Sequence, residues 1–239
     1  MEFLSSIGSF IITPLYYLIS VVLVGWHRVF GAIFGPESGA SWALSIIFLT
    51  LVIRAALIPL FVKQIKSSRN MQLVQPKVKE LQKKYGHDRE RLAAETMALY
   101  KETGTNPFAS CLPLIIQMPI FIALFTVLTS TVEMRGAPWI GWIHDLSIMD
   151  PYAILPVLMT LSGLAQVALQ PTPADPTQAR MMWIMPIIFS LALFSFPSGL
   201  VLYYVTNNLL TIVQQWLINR QINGPKKDGK VSDAKVVKG

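Results

Sequence analysis

An all-α integral membrane protein is predicted by three features of this 239-residue sequence: several apolar runs near the ~20 residues that a bilayer-spanning helix needs, a charged fraction of only 14%, and basic residues gathered into two segments. Soluble domains carry about 25% charged residues. With 53% hydrophobic residues and a mean hydropathy of +0.50, the main solvent of this chain is lipid. The net charge of +7 is localised, which points to a fixed orientation and to anionic partners such as lipid headgroups or ribosomal RNA.

Five spans are read at 43–62, 107–130, 152–170, 181–196 and 200–218. Ten basic residues from Lys63 to Lys101 lie in segment 63–106, and the tail, 219–239, is basic as well. Loop 131–151 holds only Arg135 beside Glu133, Asp145 and Asp150, and loop 171–180 holds Arg180. Basic loops stay in the cytoplasm, so the 63–106 segment and the tail are expected inside and the 131–151 loop outside. The fourth span is short: 16 residues at ~1.5 Å each cover about 24 Å of a ~30 Å hydrocarbon core. Pro59, Pro113, Pro119, Pro156 and Pro186 fall within spans, where each removes an N–H donor.

Two placements fit Phe10 to Phe30. It is apolar enough to be a sixth span, yet it ends in Trp26-His27-Arg28 and carries Tyr16 and Tyr17, residues favoured at the headgroup level. The expectation is an extracytoplasmic interfacial helix within 1–42, broken from the first span at Gly35-Pro36. Neither a removable signal peptide nor a lipoprotein signal is expected, since no basic n-region, small-residue cleavage site or nearby cysteine is present.

Segment 63–106 is expected to form two antiparallel helices. Met71, Val74, Val78, Leu81 and Tyr85 step by three and four, an a/d seam. Gly86 can stop that helix, Asp88 can cap the next, and Leu92, Ala93, Met97, Leu99 and Tyr100 give the second an apolar stripe. Pro76 should kink the first helix or mark its start. Periodicity alone fits a solvated connector and a docking surface equally. The tail from Gly224 is expected to be a disordered basic segment able to bind anionic lipid or RNA.

Arg54 is the one charged side chain placed deep within a predicted span, nine residues before Lys63 and so about 13 Å in. Holding an arginine there costs at least ~2.5 kcal/mol, and no predicted span offers an Asp or Glu. The guanidinium must reach water, backbone carbonyls or a transient external anion. Snorkelling to the headgroups is the simpler escape, but the depth favours a hydrated cavity open to the cytoplasm. Thr50, four residues earlier, shares its face. Gln117, Gln166, Tyr203, Tyr204, Asn207, Asn208, Gln214 and Gln215 can complete the wall, although such residues are more often interhelical glue than ligand contacts.

Catalysis, cofactors and metals find no support. His27, His87 and His144 are far apart in the expected topology, no cluster has metal-ligand spacing, and no Gly-rich phosphate loop follows a strand. Cys111, the lone cysteine, reads as a small buried hydrophobe.

At these residues the sequence resembles the YidC family of membrane-protein insertases. The resemblance is carried by Ile53-Arg54-Ala55, Met71-Gln72-Leu73-Val74-Gln75-Pro76-Lys77, Asn106-Pro107-Phe108, Cys111-Leu112-Pro113, Gln117-Met118-Pro119-Ile120-Phe121, Trp142-Ile143-His144-Asp145-Leu146-Ser147, Asp150-Pro151-Tyr152, and the run Phe196 to Tyr204. It implies a five-helix core around a positively charged groove, open to the cytoplasm and to lipid, with a cytoplasmic helical hairpin. One departure stands against it: many Gram-negative members carry an extra N-terminal span and a large periplasmic domain that this sequence lacks, so it is expected to be either a compact bacterial form or a trimmed piece of a longer one. Arg54 then matches the groove arginine, Thr50 and Tyr204 match positions that meet the substrate, and Gln117, Met118 and Phe121 lie on or near an apolar slide along the second and fourth spans. The implied partners are nascent membrane proteins, the ribosome through the basic tail and cytoplasmic loops, the Sec translocon, the signal-recognition pathway and anionic lipids. Two rivals differ in class. A small-solute transporter would want a coupling carboxylate or repeat symmetry; a scaffold would only dock ribosomes or a translocon.

Overall fold

The computed structural model describes residues 2–105, 112–170, 172–173 and 176–223. Cys111, the Asn106-Pro107-Phe108 motif and the tail from Gly224 lie outside the described residues. Those described form seven α-helices with no strand among them, α1 Glu2–Phe34, α2 Gly39–Tyr85, α3 Arg89–Glu102, α4 Leu112–Ser130, α5 Ile154–Ala168, α6 Pro176–Ala192 and α7 Ser198–Asn223. Phe10–Phe34 and α2 are long and apolar enough to cross a bilayer; Ile115–Ser130 and Ile154–Ala168 are shorter apolar helices.

α1 runs unbroken to Phe34, where Gly35 at φ +95° turns the chain. One flank, with Ile19 and Leu23, is buried in the core beside α2 and α4, while Phe10, Tyr17, Leu18 and Val21 are exposed. Trp26 and His27 are packed against α2: Trp26 meets Phe48, and His27 stacks on Trp42 at 3.6 Å. Ser41 Oγ donates to the Gly35 carbonyl at 2.7 Å, tying the end of α1 to the start of α2, and Ser38 caps α2. Gly39 is demanded by close approach, since a Cβ there would lie 2.2 Å from the Pro138 carbonyl oxygen.

At ~1.5 Å per residue the 47 residues of α2 extend about 70 Å, more than twice the hydrocarbon core. The first span and the first hairpin arm are therefore one helix, which passes through Pro59 and Pro76. Pro76, offered as a kink or a start of the first arm, does not mark its start: the helix continues on both sides of it. In the hairpin Val74 and Val78 are buried, flanked by half-buried Met71, Leu81 and Tyr85, as the seam requires. The Gly86–Asp88 turn follows. Gly86 is right-handed rather than left-handed, and its lack of a side chain matters because a Cβ would sit 2.6 Å from the Gln82 carbonyl oxygen. Asp88 accepts from the Arg91 N–H at 3.0 Å and caps α3. α3 buries no residue, and Ala93 and Met97 of its expected stripe are exposed. Half-burial lifts the pKa of its Tyr100 above the ordinary value. The Gln75 side-chain amide donates to the Thr172 carbonyl, linking the hairpin to the α5–α6 connection.

The main core sits at the other end, under the 131–153 loop. Trp42, Ala43, Ile46 and Leu49 of α2 meet Leu124, Val127 and Leu128 of α4, Leu200 to Tyr204 of α7, and Met134, Ile143 and Leu146 of the loop itself. The loop is pinned to α7, where the Ser198 and Gly199 N–H groups donate to the Ile148 and Leu146 carbonyls at 2.7 and 2.9 Å. Two of its carboxylates bind backbone. Asp150, 3% exposed, accepts from the Tyr152 and Leu155 N–H groups at 3.0 and 2.7 Å and holds the start of α5. Partial burial works against ionised Asp145, but bonds from the Ser147 hydroxyl and N–H and from Gly136, with nearby Arg135, prevail and hold its pKa below the ordinary carboxylate value.

α6 differs from the expected 181–196 by starting at Pro176 and ending at Ala192. Proline suits a first helical position, and Pro197 disfavours helix at Phe196, so a turn fills the interval before α7. Ser190 alone is buried among its described residues, while Trp183, Ile184, Ile187, Ile188 and Leu191 are exposed, an apolar surface suited to lipid. α7 is the hub of the bundle. It packs on α2 and α5 and touches α4, and its polar side chains divide among those neighbours.

Candidate functional site

The site is built where the hairpin-side half of α7 faces α2. Asn207, Thr211 and Gln214 lie at i, i+4 and i+7, the spacing of one helical face. Arg54 of α2 points at that face and is only 6% exposed. Its Nε–H donates to Asn207 Oδ1 at 2.8 Å, Nη1 to Gln214 Oε1 at 3.1 Å, and Nη2 to the Asn207 carbonyl at 3.1 Å and to the Thr211 hydroxyl. The Phe61 ring, two turns along α2, lies 4.4 Å from the guanidinium carbon. Four of the five N–H groups of arginine are thus engaged, and among the described residues every acceptor is neutral and no carboxylate is a partner. Of the three outlets expected for this charge, the structure supplies a backbone carbonyl and adds three side-chain acceptors.

The remaining polar residues of α7 do other work. Asn208 Nδ2 donates to Ser162 Oγ at 3.1 Å and Gln215 Nε2 to the Leu169 carbonyl at 2.9 Å, both fastening α5. Gln117 Nε2 donates to Tyr203 Oη at 3.0 Å and fastens α4. These pairs are interhelical glue in a low-dielectric interior. Gly163 lets α5 and α6 approach, since a Cβ there would meet Pro186 Cβ at 3.0 Å.

Of the residues expected near the groove, Thr50 is fully buried one turn from Arg54, with its hydroxyl donating to the Ile46 carbonyl at 2.7 Å and not among the acceptors of the guanidinium. Tyr204 and Phe121 belong to an aromatic cluster. Tyr204 meets Phe189 at 5.1 Å and Phe121 at 5.9 Å, and Phe125 meets Phe196 at 5.4 Å, so rings from α4, α6 and α7 join behind the exposed face of α6. Met118 is 47% exposed. The hairpin residues Met71, Pro76, Leu81 and Tyr85 lie on α2 beyond Arg54. Sequence reasoning missed Thr211 and Phe61. The signal was present, since Thr211 continues the Asn207–Gln214 face and Phe61 repeats Arg54 at i+7.

Two cavities, of about 390 and 450 Å3, lie at the loop end. Thr131, Arg135, Asp145 and Ser147 help line the first; His27, Glu37, Glu133 and Arg135 help line the second.

This lone-arginine geometry sits in a sequence whose residues 33–227 match the model of the 60Kd inner membrane protein family. The chain belongs to the YidC family of 60Kd inner membrane proteins. The membrane protein insertase YidC of Cupriavidus taiwanensis is 50% identical over 186 residues, 78% of this chain and 33% of that protein. YidC of Burkholderia vietnamiensis is 47% identical over 214 residues, 90% of this chain and 36% of the relative. The chain thus spans about a third of the length of the YidC relatives it matches. A crystal structure of an active YidC insertase with its first transmembrane domain resolved superposes at a TM-score of 0.64 with 29% identity, covering 84% of this chain and 45% of that one. Membership makes this an inner-membrane protein of the all-α class, as the sequence predicted.

Proposed function

We propose that this chain inserts and folds newly made membrane proteins, taking the incoming segment past Arg54 and releasing its apolar helix sideways into lipid. The observation that carries the reading is a guanidinium in the hairpin-side half of the bundle held, among the described residues, by neutral acceptors alone. Its full positive charge remains available to an acidic polar tail. Its acceptors Asn207, Thr211 and Gln214 are half-buried, so water and a substrate carboxylate can approach from their side. The membrane potential, worth ~2.3 kcal/mol per charge per 100 mV, pulls an acidic tail outward. Partition of about 20 apolar residues into lipid is itself downhill, so no nucleotide site is required.

In this reading the spans are the five expected ones, the tail is cytoplasmic, and the 131–153 loop closes the outer end with its buried Met134, Ile143 and Leu146. Met118 and the Phe121–Tyr204 cluster border the exit route, and the exposed flank of α6 is where the substrate helix leaves. Helix α1 is read as lying along the outer interface, its exposed apolar flank in lipid. Nascent membrane proteins are the substrates. The ribosome is engaged through the basic tail and hairpin side, with anionic lipid, the Sec translocon and the signal-recognition pathway as further partners.

The test is insertion of a single-span substrate into liposomes containing this chain and no other protein. Protection of the translocated tail from added protease, absent from empty liposomes, is the expected result. Ribosome binding without protected tail would instead mark a docking scaffold and overturn the proposal.

A further inference from the structure

We propose that the cavity at the outer end of α4 binds the headgroup of an ethanolamine phospholipid, with the phosphate on Arg135 and the ammonium on Asp145 and the hydroxyl oxygens around it. The inference goes beyond the insertase reading and takes from it only the orientation, in which the 131–153 loop lies at the outer face.

The cavity, of about 390 Å3, opens where α4 ends, and Thr129, Thr131, Arg135, Asp145 and Ser147 give it a polar wall. That volume is in the range of small-ligand sites. Its two charges are of opposite sign. Arg135 is exposed, and its guanidinium donates to no acceptor among the described residues. Asp145 is held ionised by donors from its own loop, the Ser147 N–H and hydroxyl, both at 2.7 Å. The hydroxyls then fix what the cavity can take. Thr129 donates its proton to the Phe125 carbonyl at 2.8 Å, Thr131 to the Val127 carbonyl at 2.7 Å and Ser147 to Asp145, so each oxygen has only lone pairs left to offer. Three such oxygens beside a carboxylate match a positive group with several N–H donors, which is a primary ammonium. A quaternary ammonium has no N–H and is held instead by aromatic faces; among the described residues no aromatic side chain lines this cavity. Arg135 supplies the donor fork that a phosphate wants. The apolar surroundings select a lipid as the carrier of both groups. Ile115, Met118, Ile122, Thr126 and Thr129 are exposed and step by three and four along one face of α4. At ~1.5 Å per residue this stripe runs about 21 Å and ends at the cavity, whose rim carries Ile148, 55% exposed. An acyl chain gains from lying along that stripe, whereas a water-soluble zwitterion does not.

The experiment adds equal amounts of dioleoyl phosphatidylethanolamine and dioleoyl phosphatidylcholine to the full chain in detergent and reads, by native mass spectrometry, the ratio of the two lipids retained. A ratio of about tenfold in favour of the ethanolamine lipid is expected, the effect of one charge-assisted hydrogen bond. Asp145→Asn keeps an acceptor for Ser147 and should bring the ratio close to one. The double variant Thr129→Val with Thr131→Val removes two acceptor oxygens at the end of α4 and should lower the ratio as well, so that poor folding of one variant leaves the other to decide. Arg135→Gln breaks no side-chain hydrogen bond among the described residues and should lower retention of the ethanolamine lipid several-fold. Glycerophosphoethanolamine, the same headgroup without acyl chains, distinguishes a membrane lipid from a soluble phosphate ester, and in large excess it should fail to displace the lipid. Equal retention of the two lipids by the native chain overturns the proposal. So does a ratio that either folded acceptor variant leaves unmoved, undiminished retention by Arg135→Gln, or displacement by the soluble ester. Insertion is not read, so each of these results leaves the insertase reading standing.

Discussion

Replacing Arg54 separates charge from packing. In Arg54→Ala the substrate carboxylate loses its attraction to the guanidinium. For a carboxylate taken at about 8 Å and an effective dielectric of ~20, the interaction is about 2 kcal/mol, or roughly thirtyfold in rate. Hydration lowers that, so a loss of ten- to thirtyfold is expected for a substrate with an acidic tail. Arg54→Lys keeps the charge but offers three donors without the planar fork, so it cannot serve all four acceptors, which the guanidinium reaches at up to 3.1 Å. Its expected loss is within about threefold. The assay is protease protection of the translocated tail in liposomes, with both variants normalised to folded chain. Because Asn207, Thr211 and Gln214 are half-buried, water can replace Arg54 as their partner, and Arg54→Ala should lower stability by only about 1–3 kcal/mol. Undiminished insertion by Arg54→Ala would refute the electrostatic argument; equal large losses in both variants would show that the fork, not the charge, matters.

Three further outcomes follow from the loop end. Gly39→Ala puts a Cβ 2.2 Å from the Pro138 carbonyl oxygen, so a loss of about 1–3 kcal/mol is expected, read as a lower Tm of the detergent-solubilised chain. Asp150→Ala removes the acceptor for two backbone N–H groups at the start of α5 and should cost about 1–2 kcal/mol, seen as faster hydrogen exchange at Tyr152 and Leu155. The depressed pKa of Asp145 contributes stability that is full above its unfolded value near 3.8 and is lost as pH falls through the lower folded value, so acid should loosen the Ser147 turn in the wild type and have less effect in Asp145→Asn, as followed by loop proteolysis.

The sequence made the membrane class and the key cation legible because both are transfer energies. Apolar runs and one stranded arginine stand out whatever the tertiary arrangement. The hairpin seam was equally readable, with Val74 and Val78 buried where the heptad placed them. Helix continuity was not. Hydropathy changes sign near Lys63, yet backbone hydrogen bonding does not, and α2 continues into the hairpin. The limits of α6 were hidden for the same reason, since a proline start and a pre-proline end decide them rather than apolarity. The partners of Arg54 were half visible. Asn207 and Gln214 stood out as polar, but only the relative rotation of α2 and α7 shows that they meet this guanidinium while Asn208 and Gln215 turn to α5.

The most direct measurement is a double-mutant cycle between Arg54 and the tail carboxylates of the substrate. Insertion rates are compared for native and Arg54→Ala chains, each with acidic and amide-substituted tails. A coupling of about 1–2 kcal/mol is expected from the charge interaction. Strictly additive effects would mean that the guanidinium and the acidic tail never meet, and the account of insertion would lose its basis.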